Sequence, residues 1–216
     1  LFDALGWDVP EYGHSTLILG NDGSKLSKRH GATTVTEYQE QGFLPETLFN
    51  FLALLGWSSG DEREVFSHDE LVETFSLEGM HTRDTVFDLK KLTWLNGEQV
   101  RLRPVDQIVE DAIPIWVSEG WISEGDVDGR REELTQIATL LQPRLNTLDD
   151  LRKTGYFFNE PENYDEKALK KHWKTDTPER LAAYIDRLEA LDSFAEEDVE
   201  GVTRTLAGEL NMSASK

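Results

Sequence analysis

Apolar residues recur at helical spacing along most of this 216-residue chain, and this pattern constrains its fold more than any other feature. The pattern begins near Val35 and Tyr38 and continues almost to the end of the sequence. The clearest runs are Leu48, Phe51, Leu52 and Leu55; Val105, Ile108, Val109, Ala112, Ile113, Trp116 and Val117; Leu134, Ile137 and Leu141; Leu181, Tyr184, Ile185 and Leu188; and Val199, Val202 and Leu206. The chain is therefore predicted to be mainly α.

Capping and turn residues divide this pattern into separate helices. Pro45 suits the first turn of a helix and Gly56 suits its end. Ser67 and Glu70 have the spacing of a capping box, and Asp88 is expected to cap a short helix. The sequence further predicts N-terminal caps at Thr147 and Thr177, a kink or early end at Pro114, and a helix stop at Gly120.

The first 31 residues follow a different pattern. A short strand is predicted at 16–19, and Asn21-Asp22-Gly23 after it is a strong turn signal. Lys25, Lys28 and Arg29 then fall on one small loop, although the chain has 42 acidic and 22 basic residues and a formal net charge of -20. This local concentration of cations indicates an anionic ligand such as a polyphosphate. The alternative is a basic turn that contacts only solvent.

Spacing and composition exclude several classes of site. Gly20–Lys25 lacks the spacing of a Walker phosphate loop, so a nucleotide hydrolase of that class is excluded. The chain has no cysteine, and its five histidines lack the i, i+3 or i+4 spacing of a helical metal site, so no zinc is predicted. No window has the length of a membrane span, and the acidic start lacks a signal peptide's basic region, so a cytoplasmic location is predicted.

The acidic composition is unfavourable for a protein that binds RNA, because phosphate contacts require local cations. A hydrated acidic surface is the simple explanation. A salt-adapted source organism would give the same composition, since high ionic strength screens the repulsion between acidic side chains.

The cationic loop resembles a known signature. Lys25-Leu26-Ser27-Lys28-Arg29-His30-Gly31 is similar to the K-[ML]-S-K-[SR] motif of class I aminoacyl-tRNA synthetases, in the form used by glutamyl-tRNA synthetases. The resemblance continues, in the order that the family uses, through Gly42-Phe43-Leu44-Pro45-Glu46, Asn50–Ser58 and Phe87–Gly97.

The resemblance implies three domains. Residues 1–31 would be the end of a class I Rossmann catalytic domain, 32–103 a mostly helical stem-contact domain, and 104–216 an all-α anticodon-binding bundle. No segment matches the H-I-G-H signature that class I enzymes also need, so the chain is expected to be a C-terminal fragment, itself truncated at its end. The fragment is expected to bind tRNA without charging it.

The resemblance also implies an activity for the parent protein. The parent would be a glutamate–tRNA ligase that joins L-glutamate to tRNA(Glu) in two ATP-dependent steps through glutamyl-adenylate, with Mg²⁺ accompanying the ATP. A monomer with no membrane partner is expected. Two alternatives remain open, namely a glutaminyl enzyme, whose anticodon-binding half resembles β-barrels, and a free-standing helical module for RNA or protein binding.

Individual roles follow from the same resemblance. Lys28 would contact the ATP phosphates and stabilise charge as pyrophosphate leaves, and Lys25 would be the first lysine of the signature. Leu26, Ser27 and Arg29 complete the ATP-binding loop. His30 is expected to pack or hydrogen-bond within the loop rather than to act as an acid or base, since a carboxylate nucleophile is already ionised.

Candidate RNA-binding residues lie in the second half. Arg144 and Arg152 are the candidates for direct contact with tRNA. Aromatic residues and cations also interleave in a way that is typical of contacts with single-stranded RNA. The residues concerned are Tyr156, Phe157, Phe158 and Tyr164, with Lys167, Lys170, Lys171, His172, Trp173 and Lys174. We expect the aromatic side chains to pack in the helical bundle and the lysines to contact solvent.

Overall fold

Helices make up most of the computed structural model, which describes residues 1–31, 34–160 and 163–212. The chain divides into unit 1, Leu1–Glu160, and unit 2, Pro161–Lys216. Unit 1 contains α1 (Phe2–Leu5), β1 (Ile18–Leu19), α2 (Val35–Glu40), α3 (Pro45–Leu54), α4 (His68–Thr74), β2 (Thr85–Val86), α5 (Leu89–Leu102), α6 (Val105–Ser118) and α7 (Arg131–Leu141). Unit 2 contains α8 (Glu166–His172), α9 (Thr177–Glu189) and α10 (Glu196–Glu209). Short 3-10 turns lie at Lys28–His30, Leu77–Gly79, Glu124–Asp126, Gln142–Arg144, Leu148–Lys153 and Gly155–Phe157.

The two short strands pair in parallel. Ile18 pairs with Thr85 and Leu19 pairs with Val86, and the Thr85 N–H donates to the Leu17 carbonyl at 3.1 Å. Parallel strands need a long crossover between them, and here the crossover contains α2, α3 and α4. The ladder fixes the start of the cationic loop, because β1 leads directly into it.

Most of the predicted caps are confirmed. Pro45 is the first residue of α3. The Ser67 hydroxyl accepts the Glu70 N–H at 3.2 Å, and the Glu70 carboxylate accepts the Ser67 N–H at 2.8 Å. Asp88 caps α5 by accepting the Lys90 N–H at 2.8 Å. These bonds satisfy N–H groups that have no partner inside their own helices.

Two predicted helices differ in length from the expectation. The helix capped by Asp88 is not short, because α5 runs for 14 residues and buries Leu92, Leu95 and Val100 on one side. Gly97 allows close packing there, since a Cβ at Gly97 would lie 3.2 Å from Oδ1 of Asn146. Pro114 does not end its helix early, since α6 continues to Ser118.

Of two other predicted helix boundaries, one is confirmed and one is wrong. Gly120 has φ of 74° directly after α6 and confirms the predicted stop. Thr177 is not an N-cap but the first residue of α9, which Asp176 precedes. The Thr177 hydroxyl instead accepts the Lys174 N–H at 2.8 Å.

The described residues of unit 1 form three hydrophobic clusters. The largest surrounds Trp116 and comprises Leu44, Val100, Ile108, Val109, Ala112, Ile122, Leu134, Ile137, Ala138, Leu141, Leu145 and Leu151. The second comprises Tyr38, Phe43, Leu48, Phe51, Leu55, Leu92 and Leu95, and the third comprises Trp57, Phe66 and Leu71. The first cluster includes Leu44 and Val100, so hydrophobic packing crosses position 103. The division of this region at 103 stays a prediction.

Buried amides on α5 connect neighbouring elements. Oδ1 of Asn96 accepts the Leu44 N–H at 2.8 Å, and its Nδ2 donates to the Asn146 carbonyl at 2.6 Å. The Gln99 side chain donates to the Phe66 carbonyl at 2.8 Å. These bonds hold the start of α3 and the loop before α4 against α5.

Unit 2 has a small interior. Leu206 is the only apolar side chain that is buried among residues 163–212. The Tyr184 and Thr203 hydroxyls lie 2.8 Å apart, and the Arg187 guanidinium lies 2.6 Å from the Glu209 carboxylate. Polar contacts thus supplement a limited hydrophobic contact between α9 and α10. Over the described ranges of the chain, no helix is long and apolar enough to cross a membrane.

Candidate functional site

The cationic loop is a short hairpin at the end of β1. The Gly20 N–H donates to the Ser24 carbonyl at 2.8 Å, and the Leu26 N–H donates to the Ile18 carbonyl at 2.9 Å. Gly23 has φ of 74°, a conformation that favours glycine, and its N–H donates to Gly20 at 2.9 Å. The predicted turn is therefore present, and it returns Lys25 and Leu26 alongside β1, where Lys25 forms an antiparallel bridge with Leu19.

His30 holds the two sides of this hairpin together. Its Nδ1 accepts the Ser27 N–H at 3.0 Å, which requires a free lone pair on Nδ1. Nε2 lies 3.1 Å from Oδ1 of Asp22, and in the tautomer with the proton on Nε2 the ring donates to that carboxylate. The ring is only 14% exposed, and it packs so closely on Gly20 that a Cβ there would lie 2.6 Å from Cδ2. The histidine packs and hydrogen-bonds within the loop, as expected.

Asp22 supplies the negative charge within the loop. Its Oδ1 accepts the Ser24 N–H at 2.9 Å and the Ser24 hydroxyl at 2.7 Å. These bonds, together with His30, lower the pKa of Asp22 from 3.8 to about 2. The carboxylate therefore stays ionised and fixes the turn. The sequence analysis assigned no role to Asp22 or Ser24, although an Asp followed two residues later by Ser is a known turn-forming spacing.

The cations of the loop project into solvent where they are described. Lys25 is exposed and has no carboxylate partner within the described ranges. Arg29 is 67% exposed, donates to the Ser24 hydroxyl at 2.7 Å and lies 3.9 Å from Asp22. Leu26 is half-buried and Ser27 is exposed. The Lys28 backbone begins the 3-10 turn, and its side chain lies outside the described part of the structure.

The two arginines predicted to contact tRNA have different surroundings. Arg144 is exposed at the 3-10 turn after α7, with no hydrogen bond or ion pair within the described ranges. Arg152 forms an ion pair with Glu119 and lies 3.1 Å from Asp149, and the hydrogen bond that it donates to Glu119 raises the pKa of Arg152. Only Arg144 therefore offers a guanidinium that no carboxylate already occupies.

The aromatic residues also divide into two groups. Phe157 and Phe158 pack against the Trp116 cluster, and Phe158 stacks on Trp121 at 5.6 Å between ring centroids. For these two, the predicted core packing is confirmed. It is wrong for Tyr156, Tyr164 and Trp173, which are 61%, 66% and 50% exposed. The local sequence does not distinguish the buried rings from the exposed ones, because Phe157 and Phe158 are buried by contact with the cluster around Trp116.

The described residues include no group of three or more His, Cys, Asp or Glu side chains placed to hold a metal ion. The loop instead presents cations with Ser27 between them, a donor set that suits phosphate oxygens.

Comparisons with known proteins give matches to two family models in this chain. Residues 1–94 match the model of the class I tRNA synthetase catalytic domain for glutamate and glutamine, and residues 107–216 match the model of an anticodon-binding domain. The glutamate–tRNA ligase of Carboxydothermus hydrogenoformans is 37% identical over 217 residues. That of Prosthecochloris aestuarii is 38% identical over 211 residues and covers 94% of this chain.

A solved structure shows the same architecture. The crystal structure of a glutamate tRNA ligase from Elizabethkingia meningosepticum, in complex with its amino acid, matches 99% of this chain with a TM-score of 0.80 and 30% identity. The chain spans 45% of that structure, and 45% and 42% of the two relatives above. The mainly α fold, with part of a class I catalytic domain, is thereby confirmed. The chain belongs to the glutamyl-tRNA synthetase family of class I aminoacyl-tRNA synthetases.

Proposed function

We propose that this chain forms part of an enzyme that ligates L-glutamate to tRNA(Glu), using ATP to form glutamyl-adenylate and releasing pyrophosphate. The observation that carries this proposal is the hairpin of residues 18–30, which presents Lys25 and Arg29 to solvent and matches the family signature in sequence. The relatives at 37% and 38% identity are named glutamate–tRNA ligases.

In the activation step, the loop would act by electrostatics. Lys28 and Lys25 would contact the phosphates of ATP and stabilise the negative charge that develops as pyrophosphate leaves. One preorganised donor of this kind contributes about 2.7–4 kcal/mol in known enzymes. Ser27 and Arg29 would complete the phosphate contacts. Mg²⁺ would arrive with ATP, and we assign none of the described residues to it.

Binding of tRNA would involve the second half of the chain. Arg144 is the stronger candidate, because it is exposed and has no carboxylate partner in the described ranges, whereas Arg152 would first have to leave Glu119 and Asp149. We further propose a monomer that acts in the cytoplasm, with 32–103 contacting the tRNA stem and 104–216 the anticodon region. The helices from Val105 to Glu209 do not favour a glutaminyl enzyme, whose anticodon-binding half resembles β-barrels.

The test uses an extended protein that adds an H-I-G-H-containing region, which these 216 residues lack. Lys28→Ala should reduce glutamate-dependent pyrophosphate exchange by about 10²–10³-fold and leave the Kd for tRNA unchanged. Lys153→Ala is the control, since Lys153 is an exposed lysine outside the loop. Equal losses in exchange and tRNA affinity would contradict the role of Lys28. Charging of tRNA by the 216-residue chain alone would contradict the need for the added region.

A free-standing RNA-binding or interaction module would not account for the match of residues 1–94 to a catalytic domain, so we do not favour it.

A further inference from the structure

The ring of His30 contacts the residues that precede both lysines of the cationic loop. Its Nδ1 accepts the Ser27 N–H at 3.0 Å, and Ser27 directly precedes Lys28. Its Nε2 lies 3.3 Å from the Ser24 hydroxyl, and Ser24 directly precedes Lys25. One ring therefore joins the two segments whose relative position sets the distance between the lysines.

Backbone hydrogen bonds hold the first of these segments against β1 but not the second. Between described residues, the bonds from the loop to β1 end at Leu26, whose N–H donates to the Ile18 carbonyl at 2.9 Å. In the 3-10 turn that follows, the His30 N–H donates to the Ser27 carbonyl at 2.9 Å, which closes the turn without tying it to the strand. The attachment of this turn to the hairpin therefore depends on side chains.

Two side chains cross the hairpin, and His30 is the better shielded of the two. Arg29 donates to the Ser24 hydroxyl at 2.7 Å, but its side chain is 67% exposed, so water competes for that bond. The His30 side chain is only 14% exposed and lies against Gly20. Both of its ring nitrogens contact groups of the loop, so the ring acts on the loop and not on a substrate.

We propose that His30 is a positioning residue for the activation step, which fixes the spacing between the backbone segments that carry Lys25 and Lys28 so that both lysines reach one polyphosphate. Two like charges on an unrestrained loop would move apart, whereas the phosphates of one ATP need both within reach. The inference deepens the proposed function and rests on it for the identity of the polyphosphate.

The first measurement is NMR relaxation of backbone amides in the 216-residue chain. The Ser27 and Lys28 amides should have order parameters of about 0.85, and His30→Ala should lower them to below about 0.6. His30→Asn should retain part of this order, since its amide oxygen can accept the Ser27 N–H from near the position of Nδ1. Unchanged order parameters in His30→Ala would overturn the proposal.

Gly20→Ala tests the position of the ring without removing any polar group of the loop. The three atoms nearest to a Cβ at Gly20 all belong to His30, at 2.6, 2.7 and 3.0 Å, so the added methyl must displace the ring. Gly20→Ala should therefore reproduce the effect of His30→Ala on the Ser27 amide. The matched control is Gly13→Ala, because a Cβ there would meet nothing within 4 Å. Equal effects of the two glycine variants would contradict the role of the ring.

The second measurement is glutamate-dependent pyrophosphate exchange in the extended protein. His30→Ala should lower kcat by about 10–100-fold, the loss expected when charged groups are misplaced by about 1 Å. The KM for glutamate and the Kd for tRNA should change by less than about twofold, since neither ligand contacts the ring. In the His30→Ala background, Gly20→Ala should cause no further loss, because the ring that it displaces is absent.

A purely structural role for His30 gives a different result. It would lower the thermal midpoint, weaken tRNA binding and raise the KM for glutamate together with the loss of kcat, and that outcome would overturn the proposal. Additive losses from Gly20→Ala and His30→Ala would do the same, since the two changes would then act independently.

The outcome is separable from that of the proposed function. If Lys28→Ala abolishes exchange while His30→Ala and Gly20→Ala keep full activity, the inference fails and the ligase proposal stands. If the extended protein shows no glutamate-dependent exchange, the ligase proposal fails, and the activation role of His30 fails with it even where the NMR data show that the ring orders the loop.

Discussion

At the scale of single residues, the geometry of the cationic loop depends on a residue of opposite charge. Asp22 accepts two hydrogen bonds from Ser24 and faces Nε2 of His30. Because the carboxylate is engaged at the turn and lies 3.9 Å from Arg29, it shapes the hairpin without pairing closely with any of the described cations. The loop can then hold exposed positive charge next to a turn that these hydrogen bonds stabilise.

Ser24→Ala should raise the pKa of Asp22 from about 2 towards its ordinary value of 3.8, since the Ser24 hydroxyl is the largest cause of the lowering. A lowered pKa in the folded loop means that ionised Asp22 stabilises the loop above about pH 4. That contribution is lost as the pH falls from about 4 to about 2. The measurement is an NMR titration of the Asp22 carboxyl carbon. A midpoint near 3.8 in the unchanged chain would contradict the hydrogen bonds described.

Gly42→Ala should destabilise unit 1 more than Gly60→Ala does. Both glycines have positive φ, 76° and 88°, which costs another residue about 1–2 kcal/mol. A Cβ at Gly60 would meet nothing within 4 Å, whereas one at Gly42 would overlap the Asp149 backbone nitrogen and lie 2.8 Å from that of Leu148. Overpacking adds about 1–3 kcal/mol. Urea unfolding of both variants measures the difference in their free energies of unfolding. Equal losses of stability would contradict the close contact between Gly42 and the backbone of Leu148 and Asp149.

At the scale of elements, the sequence predicts what is decided within a few residues. The caps at Ser67 and Asp88, the start of α3 at Pro45 and the stop at Gly120 follow from side chains that bond or turn the adjacent backbone. The length of α5 does not follow from such local side chains. Its middle packs closely through Gly97 against Asn146, a residue 49 positions later in the chain.

The same limit applies to the candidate site. Lys25, Ser27 and Arg29 fall on one exposed loop because they are contiguous, and the signature predicts this. The pairing of Arg152 with Glu119 joins residues 33 positions apart, so no local pattern indicates it.

The side chain of Gln142 contacts the C-terminal end of α5. Its Nε2 donates to the carbonyls of Val100 and Arg103 at 2.8 and 2.7 Å, at the end of the helix, where the Val100 carbonyl also accepts the Arg103 N–H at 3.3 Å. Gln142→Ala should lower the free energy of unfolding of unit 1 by about 1–3 kcal/mol. Gln136→Ala on α7 is the matched control, since Gln136 is exposed, and it should change stability by less than about 0.5 kcal/mol. Similar values for the two variants in chemical unfolding would show that Gln142 does not cap α5.

At the scale of the whole molecule, hydrophobic burial is unequal between the units. Unit 1 has three clusters that include Trp57, Trp116 and several phenylalanines, whereas the described part of unit 2 buries Leu206 alone among its apolar side chains. Since apolar burial supplies most of the favourable free energy of folding, unit 2 depends more on polar contacts and on electrostatics. The net charge of the chain therefore matters for its stability.

Added NaCl should stabilise the chain against heat. Acidic residues exceed basic ones by 20, so like charges repel one another in the folded state at low salt. The Debye length falls from about 30 Å at 0.01 M to about 3 Å at 1 M, which screens this repulsion. Salt also weakens the ion pairs, but pairs such as Arg204 with Glu200 are exposed and contribute at most about 1 kcal/mol each.

Repulsion should dominate, because the excess of 20 charges acts over the whole surface. We expect the thermal midpoint to rise by about 2–8 °C between about 0.01 M and 0.5 M NaCl, the range that about 1–2 kcal/mol gives for a chain of this size. Calorimetry or circular dichroism measures the midpoint. KCl should raise the thermal midpoint by the same amount as NaCl, since screening depends on ionic strength. An uncharged osmolyte at the same osmolality should raise it less. A midpoint that falls with salt would mean that the surface ion pairs outweigh the repulsion between acidic side chains.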